Sequence, residues 1–97
     1  MIRHIVLLTW TAEATDEQKA AVAEGLSALP GQIPQLGEYI VGHDLALAEG
    51  TADFAIVAEF ASVADFETYR DHPAHQQVIA ERIKPILAGR LGAQIEL

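Results

Sequence analysis

Two histidines and a tyrosine lie close together in the segment YRDHPAHQQV, residues 69–78. Tyr69 precedes His72, and His75 follows His72 across Pro73. A neutral histidine, whose ordinary pKa is about 6.5, can take a proton at neutral pH. A tyrosine hydroxyl can donate a hydrogen bond to an oxygen that gains negative charge. These residue types therefore suit general acid/base chemistry.

The same residues also have structural interpretations. The residue before a proline avoids the helical conformation, so His72 should be extended and Pro73 should begin a new helix. Both histidines could then hydrogen-bond backbone groups that the break leaves free, and the sequence favours this role for His72. Tyr69 could equally be a half-buried core residue whose hydroxyl is satisfied.

A metal site is a further interpretation of this segment. His72 and His75 are close in sequence, and Asp65 and Asp71 are the nearby carboxylates. Three or four ligands are expected at a transition-metal site, together with groups that orient them. The spacing here matches no strong metal signature, so we predict no metal and no cofactor.

The elements that must position these side chains follow the order β-α-β-β-α-β. Runs of β-branched and large apolar residues predict the strands, and Thr15 with Gln18 predicts a capped helix start. Ser62 caps a second helix, and Gly42 is expected at a bulge or a close backbone approach. The expected ranges are strands 2–10, 38–47, 53–61 and 89–97, a helix at 15–29, and a helix from 63 that breaks at Pro73 and ends near Ile83. This order predicts a ferredoxin-like α+β protomer.

Composition limits the class of protein. The 97 residues are 51% hydrophobic, which predicts one folded domain over residues 1–97. A formal charge of −8 argues against nucleic acid and anionic membranes as partners. No apolar run approaches the roughly 18 residues of a membrane span, and MIRHIVLLTW is typical of a strand rather than a signal peptide. We therefore expect a cytoplasmic protein.

The first and third strands are apolar on both faces. In a βαββαβ domain the helices cover one face of the sheet, and a second face in contact with water should be polar. Instead, that second face carries Ile5 and Leu7 from the first strand and Ala55 and Val57 from the third. The simplest cover is a second copy of the chain. We predict a homodimer through the sheet face opposite the helices.

Several segments together resemble the stress-responsive dimeric α+β barrel family, known as Dabb. The resemblance extends over nearly the whole chain, in IRHIVLLTW, YIVGHDL, AIVAEFASVADFETY and, most specifically, YRDHPAHQQV. It implies ferredoxin-like protomers whose sheets pair into a dimeric barrel. Some similar plant proteins are polyketide cyclases, which close a poly-β-keto chain by intramolecular aldol condensation without a cofactor. The reactive pair of those cyclases corresponds here to Tyr69 and His75.

The resemblance also implies a pocket between the sheet and the helices. The expected substrate-binding residues are His4, Val6, Leu8, Val22, Leu26 and Phe54. His4 corresponds to the first-strand histidine of the family, and Val6 and Leu8 share its face of the strand. Val22 and Leu26 on the first helix occupy positions where the plant cyclases are more aromatic. Phe54 occupies a position where those proteins can carry a histidine. The substrate of the cyclases therefore does not transfer to this chain.

Three functions follow as alternatives. The first is a small-molecule pocket with cyclase-like acid/base chemistry on a ketone-bearing compound, with His75 as base and Tyr69 as donor. The second is a non-catalytic homodimer that holds a ligand or acts in stress, in which the same residues are structural. The third is a haem-binding or monooxygenase-like barrel with His75 as axial ligand. Haem propionates usually bind cationic partners, and only Arg70, Arg82, Lys84 and Arg90 lie in the C-terminal half, which argues against haem.

Overall fold

A computed structural model of the chain describes all of residues 1–97. The strands are β1 (Ile2–Trp10), β2 (Tyr39–His43), β3 (Phe54–Phe60) and β4 (Leu87–Glu96). They form one antiparallel sheet in the order β2-β3-β1-β4. The helices are α1 (Asp16–Ser27), α2 (Val63–Asp71) and α3 (Pro73–Val78), with a π-helical turn at Ile79–Ile83 and 3-10 turns at Leu29–Gly31 and Lys84–Ile86. The predicted ferredoxin-like α+β fold is confirmed.

The start of α1 follows the predicted capping pattern. The Thr15 hydroxyl accepts a hydrogen bond from the Gln18 backbone N–H at 3.1 Å, and the Thr15 N–H donates to the Gln18 side chain at 2.9 Å. Each bond satisfies a donor that a helix start leaves free. The helix ends at Ser27, before the predicted end, because Leu29–Gly31 continues as a 3-10 turn. None of the helices combines the length and the hydrophobicity needed to span a membrane.

One face of the sheet packs against the helices and forms the core. The inward residues of β1 are His4, Val6, Leu8 and Trp10, and those of β3 are Phe54, Ile56, Ala58 and Phe60. Val22 and Leu26 from α1 and Tyr69 from α2 belong to the same cluster and are almost fully buried. Burying one large aliphatic side chain stabilises the fold by about 1.5–3 kcal/mol. His4 is the one buried polar residue of the chain.

The other face, here called the open face, is not covered by any part of the chain. Its large apolar residues are Ile5, Leu7, Ile40, Val57, Leu91 and Ile95. Ile40 is 55% exposed and Leu91 is 74% exposed. The apolar character predicted for both faces of β1 and β3 is therefore present, and it continues onto both edge strands.

Two details of β2 differ from the sequence prediction. The strand ends at His43 rather than near residue 47, because the Asp44 carboxylate accepts hydrogen bonds from the Ala46 N–H and the Thr51 hydroxyl and closes a turn. The predicted bulge or close approach at Gly42 is wrong. Gly42 pairs with Ala55 in an uninterrupted register, and the space above it on the open face is empty.

Candidate functional site

The break between α2 and α3 creates the first part of the site. His72 is extended, with φ −61° and ψ 134°, and Pro73 begins α3 as predicted. The Ala74 N–H donates to Nδ1 of His72 at 3.0 Å, so His72 caps α3. The structural role that the sequence favours for His72 is confirmed.

The same break frees the backbone carbonyl of Arg70, because the helical ladder does not continue through Pro73. That carbonyl accepts hydrogen bonds from Nδ1 of His75 at 3.0 Å and from the Gln76 side-chain amide at 2.6 Å. A carbonyl can only accept, so the hydrogen of the neutral His75 ring lies on Nδ1. Nε2 of His75 keeps its lone pair and has no hydrogen-bond partner within the chain.

The kink also stacks His75 on Tyr69. Their ring centroids are 4.1 Å apart and the ring planes meet at 29°. In a straight helix two residues six positions apart would not lie over one another, since neighbours on a helix surface are three or four apart. The interruption at Pro73 therefore brings together the tyrosine and the histidine that the sequence pairs.

His4 contributes from the central strand. The Gln94 side-chain amide on β4 donates to Nδ1 of His4 at 2.8 Å, so the neutral ring carries its hydrogen on Nε2. The ring lies 5.0 Å from Phe66 and 6.2 Å from Tyr69, measured between centroids. Its Nε2–H has no partner within the chain, and it is not sealed from solvent. His4 thus offers a free donor, and His75 offers a free acceptor.

The Tyr69 hydroxyl pairs with a residue that the sequence prediction missed. Its oxygen lies 3.1 Å from the hydroxyl oxygen of Tyr39 on β2. Burial raises the pKa of both tyrosines, so both hydroxyls stay protonated at neutral pH. The two-residue alternation of β2 could have predicted that Tyr39 faces the site, because Tyr39 and Val41 share the face of β2 that turns toward the helices.

Burial also sets the charge of the two site histidines. Desolvation lowers the pKa of His4 to about 4, with help from the positive charge of Arg90. Desolvation lowers the pKa of His75 as well, and the hydrogen bond to the Arg70 carbonyl opposes that change. Both rings are therefore neutral at pH 7, which is the form that His75 requires to accept a proton.

These residues line a cavity of about 240 Å³ between the sheet and the helices. The predicted site residues in its wall are His4, Val6, Leu8, Leu26, Tyr69 and His75. Val22 and Phe54 do not reach it: Val22 is fully buried in the core, and Phe54 packs against Trp10 and His43. Three further wall residues were named from the sequence, but only as cations for haem propionates: Arg70, Lys84 and Arg90. The remaining wall residues were not predicted as site residues: Ile56, Phe66, Ile79, Ile83, Leu87 and Gln94.

A second depression, of about 550 Å³, lies elsewhere in the molecule. It includes Leu7, Gly42 and Ala55 from the open face and the turn that follows β2. It contains His43 and Asp44, but the Asp44 carboxylate is used to close the turn. The candidate site is the smaller cavity, because two free imidazole nitrogens and a tyrosine converge only there.

The family can now be stated from comparison with known proteins. The sequence matches the family model of the stress responsive A/B barrel domain, Dabb, over residues 2–96. The chain belongs to this family. Comparison of the Dabb chain with curated proteins finds no match.

Solved structures similar to this Dabb chain include two dimeric ferredoxin-like proteins of unknown function. The protein from Thermobifida fusca has a TM-score of 0.91 and 44% identity, over 99% of this chain and 90% of its own. The protein from Bacteroides fragilis has a TM-score of 0.82 and 25% identity, over 99% and 95%. Hydroxynitrile lyase from Passiflora edulis has a TM-score of 0.83 over 97% and 90%, and its 21% identity limits that likeness to the fold.

The depressed pKa of His4 predicts how the stability of this Dabb domain depends on pH. On acidification the unfolded chain binds a proton at the ordinary histidine pKa of 6.5, whereas folded His4 resists it down to about 4. The His4 contribution is therefore complete above pH 6.5 and declines as the pH falls toward 4. We expect the loss of this contribution to lower the free energy of unfolding by about 2 kcal/mol between pH 8 and pH 5.

Urea denaturation of the wild type and His4→Gln at both pH values measures this difference. The variant is expected to lose about 2 kcal/mol less than the wild type over that interval, since it lacks the titrating ring. Parallel pH profiles for the two proteins would contradict the assignment of a buried, neutral His4.

Proposed function

We propose that this protein is a homodimer that binds a small carbonyl compound and performs polyketide cyclase-like acid/base chemistry without a cofactor. The observation that carries the proposal is the orientation of His75. Its Nδ1–H is held by the Arg70 carbonyl, its Nε2 has no hydrogen-bond partner within the chain, and His75 lines a largely apolar cavity. A neutral base of this kind needs no further activation to take a proton at pH 7.

The proposed reaction begins when Nε2 of His75 takes a proton from the carbon between two carbonyl groups. The negative charge moves to a carbonyl oxygen, where the Nε2–H of His4 and the Tyr69 hydroxyl can donate hydrogen bonds. The enolate carbon then forms a carbon–carbon bond with a third carbonyl carbon of the same molecule, and the π electrons of that carbonyl move to its oxygen. The resulting alkoxide recovers the proton from His75. No electron enters or leaves, so the sequence of steps requires no redox cofactor.

The homodimer is proposed through the open face. Exposed Ile40 and Leu91 extend an apolar surface that a monomer would leave in water, and burying such a surface favours association. The similar proteins from Thermobifida fusca and Bacteroides fragilis are described as dimeric, which supports a homodimer. The site of each protomer lies on the other side of the sheet, so pairing would leave both cavities accessible.

A non-catalytic, ligand-holding or stress-related homodimer is the second candidate, favoured by one observation. The Tyr69 hydroxyl is already paired with the Tyr39 hydroxyl, so Tyr69 can donate its hydrogen to a substrate only when Tyr39 is the donor of that bond. The haem alternative is not favoured, because a cavity of about 240 Å³ is too small to enclose a macrocycle as large as haem. No group of three or more His, Cys, Asp or Glu side chains is arranged to hold a metal ion.

Enolisation of benzoylacetone, followed by ultraviolet absorbance, tests the catalytic proposal. The wild type is expected to accelerate conversion of the diketone to its enol above the buffer rate. Tyr69→Phe is expected to lower that acceleration by about 10²-fold, the effect of losing one oxyanion donor. Tyr39→Phe is the matched control, since it removes the partner hydroxyl but leaves that of Tyr69, and it should cost less than tenfold. Binding of benzoylacetone without acceleration would instead favour the ligand-holding dimer.

A further inference from the structure

The charge around the cavity is opposite to the charge of the chain. The chain has 14 acidic residues against six lysines and arginines. Three of those six cations line the cavity: Arg70, Lys84 and Arg90. No aspartate or glutamate lines it. A cleft lined by one sign of charge concentrates ligands of the opposite sign. The wall of the cavity is therefore locally electropositive in an acidic protein.

Two of the three cations have no acidic partner. Arg70 forms a salt bridge with Asp71 at 2.9 Å. Lys84 and Arg90 take part in none of the salt bridges or side-chain hydrogen bonds of the chain. A guanidinium can bind a carboxylate through two parallel hydrogen bonds, and such bonds are stronger where water is partly excluded. Arg90 and Lys84 thus keep their binding capacity for a ligand.

The neighbours of Arg90 on β4 direct it toward the two site histidines. Arg90 pairs with Leu8, so its side chain lies on the helix side of the sheet rather than on the open face. A Cβ at Gly92 would lie 3.2 Å from Nη1 of Arg90, so the glycine leaves room for the guanidinium to lie along the strand. Gln94 follows on the same face and holds His4. The positive charge of Arg90 accordingly reaches His4 and His75.

We propose that the natural ligand is a small organic carboxylate, whose anionic group binds Arg90 and Lys84 while its carbonyl-bearing part extends toward His75. The inference rests on the proposed function for the chemistry at His75. Phe66, Ile79 and Ile83 supply an apolar wall for the hydrocarbon part of such an acid. A small acid matches both the modest volume of the cavity and the sign of its charge.

The test compares 3-benzoylpropanoate, an aryl ketone with a carboxylate, with the uncharged 3-benzoylpropanamide by isothermal titration calorimetry. In low salt the wild type is expected to bind the acid at least tenfold more tightly than the amide, although the net charge of the chain repels anions. Arg90→Gln should weaken binding of the acid at least tenfold and binding of the amide less than threefold. Lys84→Gln should also weaken binding of the acid more than binding of the amide, but by a smaller factor than Arg90→Gln.

Lys19→Gln is the matched control, because it removes one positive charge from α1 outside the cavity. It should leave the ratio of the two affinities unchanged, and 1 M NaCl should reduce that ratio by screening. Equal affinities for acid and amide in the wild type, or an equal loss in Lys19→Gln, overturn the carboxylate assignment. If the wild type still enolises benzoylacetone, that result leaves the proposed function intact. If neither probe binds and no enolisation occurs, both proposals are overturned.

Discussion

Val57→Asp is expected to dissociate the homodimer while the protomer remains folded. Val57 lies mid-strand in β3 on the open face, paired with Ile5 on one side and Ile40 on the other. In a twofold-symmetric interface the substitution introduces two carboxylates, one from each copy. Burying an unpaired carboxylate costs several kcal/mol. A loss of about 4 kcal/mol in association free energy raises the dissociation constant about a thousandfold.

The mass in solution, from sedimentation equilibrium or light scattering, measures this effect. Val63→Asp is the matched control, because Val63 is exposed at the start of α2, away from the sheet, where a carboxylate suits the helix dipole. It should leave the dimer unchanged. Ile40→Glu is a second test on the edge strand, where the exposed side chain contributes little to the folded protomer. A dimer mass that persists in both open-face variants would contradict this choice of interface.

Local sequence signals were enough to predict the order of the elements. The capping box at Thr15 and Gln18, the cap at Ser62 and the break at Pro73 each act within four residues of their partners, and each is present as expected. The two-residue period of β1 likewise predicts correctly that His4 turns inward with Val6 and Leu8. Structural features that depend only on residues close together in sequence could therefore be predicted from the sequence.

The composition of the site was less predictable, because it depends on pairs that are distant in sequence. Tyr39 meets Tyr69 only when β2 and α2 lie side by side, and Gln94 meets His4 only through the β1–β4 register. The expected pocket residues Val22 and Phe54 have the apolar character of the wall but lie in the core beside it. Apolar periodicity identifies an inward face and does not separate the lining of a cavity from solid packing.

His75→Phe is expected to abolish enolisation of benzoylacetone while the protein still binds the ligand. Phenylalanine keeps a ring that can stack on Tyr69, and the Gln76 amide still satisfies the Arg70 carbonyl. Only the two ring nitrogens are lost. Removing a general base lowers the rate by about 10²–10⁴-fold, whereas the dissociation constant of benzoylacetone from thermal shift should change less than tenfold.

His72→Ala distinguishes this catalytic role from a structural effect of the same turn. Loss of the cap on Ala74 should destabilise the fold by about 1 kcal/mol and lower the Tm by about 4–8 °C. The enolisation rate at 25 °C should not change, because the His72 ring is absent from the cavity wall. A rate loss in His72→Ala as large as in His75→Phe, or full activity in His75→Phe, would mean that the turn is only structural. The base would then have to be sought at His4, whose free nitrogen carries a hydrogen and would need the opposite tautomer to accept a proton.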